Sequence, residues 1–153
     1  MIFTTLFDSY YLDKGLALYR SLERATDDFK IYIYAFDDKA YEVLTDMKLD
    51  KAVILHREGL EAAYPILEKL KNERSKAEYS WTCTPVSIEY VLDRFGEENC
   101  TYIDADLFFF SDPNVLLEEI KNAGAGVTVT PHRFTDNLKD KRLLKRSGKY
   151  CVE

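Results

Sequence analysis

Residues 2–36, IFTTLFDSYYLDKGLALYRSLERATDDFKIYIYAF, decide the fold. Ile2 to Phe7 is a short β-rich run and reads as a strand. From Leu12 to Arg24, the residues Leu12, Leu16, Tyr19 and Leu22 share one face at helical spacing. Phe29 to Phe36, FKIYIYAF, is a second strand. Strand, helix and strand in so short a space form a unit of an α/β domain, because the helix returns the chain for the second strand to lie parallel to the first.

The alternation continues outward from this unit. Asp37-Asp38 closes the second strand and supplies an aspartate suited to cap a short helix near Tyr41 to Met47. Ala52 to His56 is a third strand. Leu60, Ala63, Tyr64, Leu67 and Leu70 then mark an amphipathic helix from Glu58 to about Lys71, which Pro65 bends or begins. After a charged link, Lys71 to Glu78, the run SWTCTPVSIEYVLDRF predicts a helix with Pro85 in its first turn and Gly96 at its end. TYIDADLFFF, residues 101–110, reads as a fourth strand. Asp112-Pro113 opens a helix to about Asn122, Gly126 to Thr130 a fifth strand, and KYCVE begins one more. The expected fold is a three-layer α/β/α Rossmann-like domain with a mainly parallel sheet.

Bulk properties narrow the function. A chain of 153 residues supports one domain with a substantial core, here residues 1–153. Its net charge of -6 argues against general affinity for nucleic acid, which needs clustered Lys and Arg facing phosphates. An acidic protein handling a phosphorylated ligand is better served by a metal ion. The N-terminus lacks the pattern of a signal peptide, and no apolar segment is long enough to span a bilayer, so a cytoplasmic location is expected. Cys83, Cys100 and Cys151 are odd in number and widely spaced, which points to reduced thiols rather than a disulfide framework or zinc site.

Asp104 and Asp106 are the chemical focus. Two residues apart on an extended backbone, they point to one face and meet a single cation. Mg2+ and Mn2+ take oxygen ligands, commonly one or two carboxylates with substrate phosphate oxygens and water completing the shell. With Asp at 14 of 153 positions, a DxD arises about once by chance, so the string alone says little. Its setting says more. Tyr102, Ile103 and Leu107 to Phe110 surround it with the most apolar stretch in the chain, and ligands of open α/β sheets gather at the carboxyl ends of strands.

Two segments resemble nucleotide-sugar-dependent glycosyltransferases of the GT-A fold, particularly the glycogenin-like group: TTLFDSYYLDKGLALYRSL, residues 4–22, and YIDADLFFFSDP, residues 102–113. The resemblance implies that Thr5, Phe7 and Asp8 line a base and ribose pocket and that Tyr10 or Tyr11 stacks on uracil. It implies that Asp104 and Asp106 hold Mn2+ or Mg2+ bridging a diphosphate, Asp106 more directly, with Asp104 and Ala105 beside the nucleotide. A UDP-sugar donor follows, with a saccharide, lipid-linked or protein acceptor. Departures accompany the match. A basic pair before the DxD helix has no clear counterpart, and the third metal ligand, a histidine, belongs to a C-terminal acceptor portion that this sequence is expected to lack.

Other residues have two readings. His132 and Trp81 could serve the donor or acceptor side of the cleft, although a loop histidine is often a surface residue and an aromatic at a helix start is often core. Tyr79 shares that ambiguity. Asp37-Asp38 could touch a ribose, and capping explains them equally well. The basic run LKDKRLLKRSGK, residues 138–149, could attract a phosphate-bearing acceptor or an anionic surface, or be a solvated helix. Two rival functions remain: a non-catalytic nucleotide-sugar-binding domain, and a haloacid-dehalogenase-like phosphatase. The second fits poorly, since Phe108 stands where that pattern wants Thr or Val.

Overall fold

Ile2–Phe7 forms strand β1, and Leu12–Ala25 forms helix α1 after a single 3-10 turn at Ser9–Tyr11. The computed structural model describes residues 1–124, 129–131 and 133–151, which fall into two compact units, Met1–Pro113 and Asn114–Glu153. In the first, β2 (Lys30–Ala35), α2 (Asp38–Asp46) and β3 (Ala52–His56) follow, then α3 (Arg57–Ala63), α4 (Ile66–Glu73), α5 (Lys76–Phe95) and β4 (Thr101–Tyr102). The four strands make one wholly parallel sheet in the order β3-β2-β1-β4. The α/β class and parallel sheet expected from the sequence are therefore present.

Side-chain alternation along β2 divides the core into two layers. Ile31, Ile33 and Ala35 face α1 and α2, where Leu18, Tyr19, Leu22, Ala40 and Leu44 are buried. Tyr32, Tyr34 and Phe36 face the other way, against Leu60, Leu67, Tyr79, Cys83 and Val91 from α3 to α5. Each fully buried Leu contributes about 2 kcal/mol relative to exposure, so loss of either helical layer leaves the sheet unsupported.

Three elements differ from expectation. The Glu58 to Lys71 helix is two helices, broken at Tyr64 and Pro65, because proline cannot donate into a continuing helix. Pro85 is not in a first turn. The helix starts at Lys76 with a capping box, in which Ser75 and Glu78 satisfy each other's backbone N–H groups, so Pro85 falls inside a 20-residue helix. The DxD strand is also shorter than expected. It pairs with β1 only at Thr101 and Tyr102, and after the Ile103 N–H donates to the Thr4 carbonyl at 2.9 Å the chain leaves the sheet.

The second unit holds α6 (Asn114–Asn122), β5 (Thr130–Pro131), α7 (Leu138–Ser147) and β6 (Tyr150–Cys151). β5 and β6 pair antiparallel as a separate ribbon instead of joining the parallel sheet. Most of the expected strand from Gly126 lies outside the described residues. The basic run forms α7, capped by the Asn137 side chain accepting from Asp140 N–H. Among the described residues, no helix is long and apolar enough to cross a membrane.

Candidate functional site

The strand order creates the site. β1 lies between β2 and β4 and parallel to both, so the carboxyl ends of β1 and β4 are neighbours, at the end of the sheet where ligands of open α/β folds gather. Asp8 follows β1, and Asp104 and Asp106 follow β4 at the same edge of the sheet.

The loop after β1 is held from its own backbone. The Asp8 carboxylate accepts from Tyr10 N–H at 3.1 Å, capping the 3-10 turn, and the Asp8 carbonyl accepts from Tyr11 N–H. Asp37 accepts from the Ser9 N–H at 3.0 Å and the Ser9 hydroxyl at 2.8 Å, while its other oxygen caps α2 through Ala40 N–H. Burial works against ionisation of Asp37, yet these hydrogen bonds from Ser9 and Ala40 outweigh it and hold the carboxyl below its usual range. The aspartate expected as a cap thus has a second task, tying two strand-end loops together. Its neighbour Asp38 meets His56 at 3.0 Å.

This anchoring presents two tyrosines. Tyr10 is 84% exposed and Tyr11 37%. Their rings are 5.9 Å apart, and the Lys14 ammonium lies 4.0 Å over the Tyr11 ring, leaving Tyr10 the more open face. Thr5 and Phe7 lie below the surface. Both are buried in β1, and the Thr5 hydroxyl has no hydrogen-bond partner. Phe7 packs against α1 at Gly15, where even a methyl group would come within 2.3 Å of the ring. They form the floor beneath the loop instead of its exposed wall.

The DxD segment is a turn rather than a strand. Leu107 N–H donates to the Asp104 carbonyl at 3.1 Å, with Ala105 and Asp106 between them. Ile103 and Ala105 bury their side chains in the α1 layer, and downstream the Phe109 N–H donates to the buried Ser21 hydroxyl at 3.0 Å. Asp104 and Asp106 stand exposed between these anchors. The question posed by two acids in an apolar run has a simple answer: the chain turns out into solvent there, so neither charge is desolvated.

The Tyr102 phenol lies near Thr84 of α5 and near Asp104. Burial, with the Asp104 and Asp106 carboxylates adding to it, pushes the Tyr102 phenol up to about 12. Tyr102 therefore keeps its phenolic proton at neutral pH. Sequence reasoning passed over this residue because an aromatic before an acidic pair reads only as core.

The remaining candidates separate. Trp81 is 56% exposed on α5, beside Glu73, Arg74, Glu78 and Thr82, and so is not a core residue. Tyr79 is buried and donates to Glu61 at 2.7 Å. His132 lies outside the described residues. Cys83 and Cys100 are free thiols that burial pushes up to about 11 and about 12, which removes them as nucleophiles.

Two exposed carboxylates two residues apart are donors of the type and number that Mg2+ and Mn2+ take from a protein, but on this turn the strand alternation expected to aim both at one face is lost. No group of three His, Cys, Asp or Glu gathers among the described residues.

A second feature went unread in the sequence. A cleft of about 340 Å³ is lined by Asp8 and Asp37 together with Arg57, Lys71, Arg74 and Lys76. Lys71, Arg74 and Lys76 belong to the charged link around the α4–α5 junction, and the fold brings Arg57 of α3 to them.

Comparison with known proteins gives two relatives. Over 117 residues the chain is 35% identical to the uncharacterized protein YfnF of Bacillus subtilis (strain 168), which is 76% of this chain and 38% of that protein. Over 132 residues it is 33% identical to the uncharacterized protein YfnD of the same organism, 86% of this chain and 41% of that protein. The chain thus spans about two fifths of the length of the curated relatives it matches. No family model matches it.

Proposed function

We propose that this chain binds the donor of a glycosyl transfer: a UDP-sugar whose diphosphate is held at the Asp104/Asp106 turn with Mn2+ or Mg2+. The observation that carries the reading is that the Asp8 loop and the DxD turn follow adjacent parallel strands at the same end of the sheet. It agrees with the two segments of resemblance and does not depend on either string alone.

In this reading each residue has a limited task. Tyr10 offers an open aromatic face to the uracil ring, a contact driven by stacking area. The backbone of the loop, fixed by Asp37, positions the nucleoside near Asp8. Asp106, exposed at the turn, is the direct ligand, with Asp104 beside it near the protonated Tyr102 phenol. Ala105 is the buried pin between them. The cation supplies charge neutralisation as UDP departs.

Calorimetry with UDP, in the presence and absence of Mn2+, paired with a donor-hydrolysis assay, tests the reading. Asp106→Asn removes one ligand charge and is expected to weaken UDP binding about tenfold with Mn2+ and to leave metal-free binding unchanged. Equal weakening in both conditions contradicts the metal role. Binding without donor turnover favours a non-catalytic nucleotide-sugar-binding domain.

A further inference from the structure

The helix α7 has no task in the donor reading, and it separates charge sharply. It carries Lys139, Lys141, Arg142, Lys145 and Arg146 against one acid, Asp140, so five less one gives it a charge of +4. The whole chain is at -6, so subtracting +4 leaves -10 on all other residues.

The cations are also sorted around the helix. At 3.6 residues per turn, all five fall within an arc of about 160°. Asp140 lies on the opposite side, where its carboxylate accepts from the Thr135 N–H at 2.9 Å and the Thr135 hydroxyl at 2.6 Å. Leu144 falls outside the basic arc, Leu143 at its edge, and Leu138, 79% exposed, inside it. Leu138, Lys139, Arg142, Leu143 and Arg146 together line one flank, so apolar carbon and positive charge share a face. All five cations are exposed. Lys141 approaches Asp136 at 3.9 Å, an exposed pair of little worth, and the other four form no ion pair among the described residues.

This arrangement discriminates among anions. From Lys139 to Arg146 the charges extend about 10 Å along the axis and nearly half way round it, so they do not converge as a site for one discrete phosphate requires. A surface of laterally mobile anions meets all of them. Leu138 and Leu143 find apolar contact at a lipid headgroup boundary and none along a nucleic-acid backbone. Screening confines the attraction to charges within about 10 Å of the surface, so the local charge of α7 sets it rather than the net charge of the chain.

We infer that α7 is a peripheral docking surface for an anionic lipid bilayer, which its basic arc approaches electrostatically with Leu138 at the level of the headgroups. The inference goes beyond the donor reading and requires neither nucleotide nor metal.

The test is co-sedimentation of the whole chain, at low ionic strength, with vesicles of phosphatidylcholine alone and of phosphatidylcholine and phosphatidylglycerol in equal parts. The chain is expected to sediment with the mixed vesicles only and to be released as salt is raised. Each basic residue near an anionic surface raises partitioning roughly fivefold, so Arg142→Gln with Arg146→Gln should lower it about 25-fold. Lys39→Gln with Lys69→Gln removes the same charge from α2 and α4 and should leave partitioning unchanged. Neither Arg142 nor Arg146 is ion-paired among the described residues, and glutamine is a good helix former, so the far-ultraviolet circular dichroism should match the parent. Equal loss in the two double variants would assign the effect to net charge and overturn the proposal. So would failure to sediment with the mixed vesicles, including the case in which the chain shifts duplex DNA in a parallel gel assay. No UDP or metal is present, so failure of the donor reading leaves the outcome unaffected.

Discussion

Gly15→Ala asks whether the loop after β1 rests on the packing described for Phe7. A Cβ at Gly15 would lie 2.3, 2.5 and 2.8 Å from three atoms at the tip of the Phe7 ring, all inside van der Waals contact. Turning the ring about its own axis does not clear the tip, so Phe7 must leave its rotamer or α1 must move away from β1. Overpacking of this kind costs about 1–3 kcal/mol, and a tip-on clash belongs at the upper end. Alanine regains roughly 1 kcal/mol of helix propensity, leaving a net loss of about 2 kcal/mol. For a cooperative unit of this size that lowers Tm by roughly 7 °C. Gly59→Ala is the control, because nothing lies within 4 Å of its added methyl, and it is expected to hold or raise Tm. Thermal unfolding followed by circular dichroism reads both. A Gly15→Ala protein as stable as the parent would refute the Phe7 packing and, with it, the support assigned to the Asp8 loop.

Two further substitutions probe the floor and the anchor of that loop. Thr5→Val removes a buried hydroxyl with no partner and keeps the shape, so stability should stay level or rise by up to about 1 kcal/mol, with UDP affinity unchanged; a drop in affinity would assign the hydroxyl to the ligand. Asp37→Asn retains a capping side chain but removes the charge that Ser9 and Ala40 stabilise. Because the folded pKa of Asp37 is depressed, its contribution is complete above the ordinary carboxylate pKa and fades as pH falls through the folded value. Parent and Asp37→Asn proteins should therefore differ most in Tm near neutrality and converge in acid, and a gap independent of pH would contradict the charge assignment.

Much of the first unit could be read from residues 2–56, and the reasons are physical. Strands such as KIYIYA and AVILH are short apolar runs between turn residues, and α1 carries its apolar residues on one face, so local pattern and tertiary role agree. The misreadings arose where tertiary context decided. Phe108 and Phe110 look like strand interior, yet both are exposed, because the chain turns at Asp104 and only Ile103, Ala105 and Phe109 pack inward. Pro85 suggested a helix start that the Ser75–Glu78 capping box had already supplied ten residues earlier. The carboxylates and tyrosines of the candidate site were visible as residue types, and Lys71, Arg74 and Lys76 as a charged link, whereas their meeting with Arg57 in one cleft depends on the packing of α3 to α5.

Crystals of the protein soaked with UDP and Mn2+, with diffraction recorded at a wavelength where manganese scatters anomalously, test the donor site most directly. The expected result is one anomalous peak at about 2 Å from the Asp106 carboxylate, diphosphate oxygens on its far side and the uracil over Tyr10. Manganese bound elsewhere, or UDP seated away from the Asp104–Leu107 turn, would contradict the account.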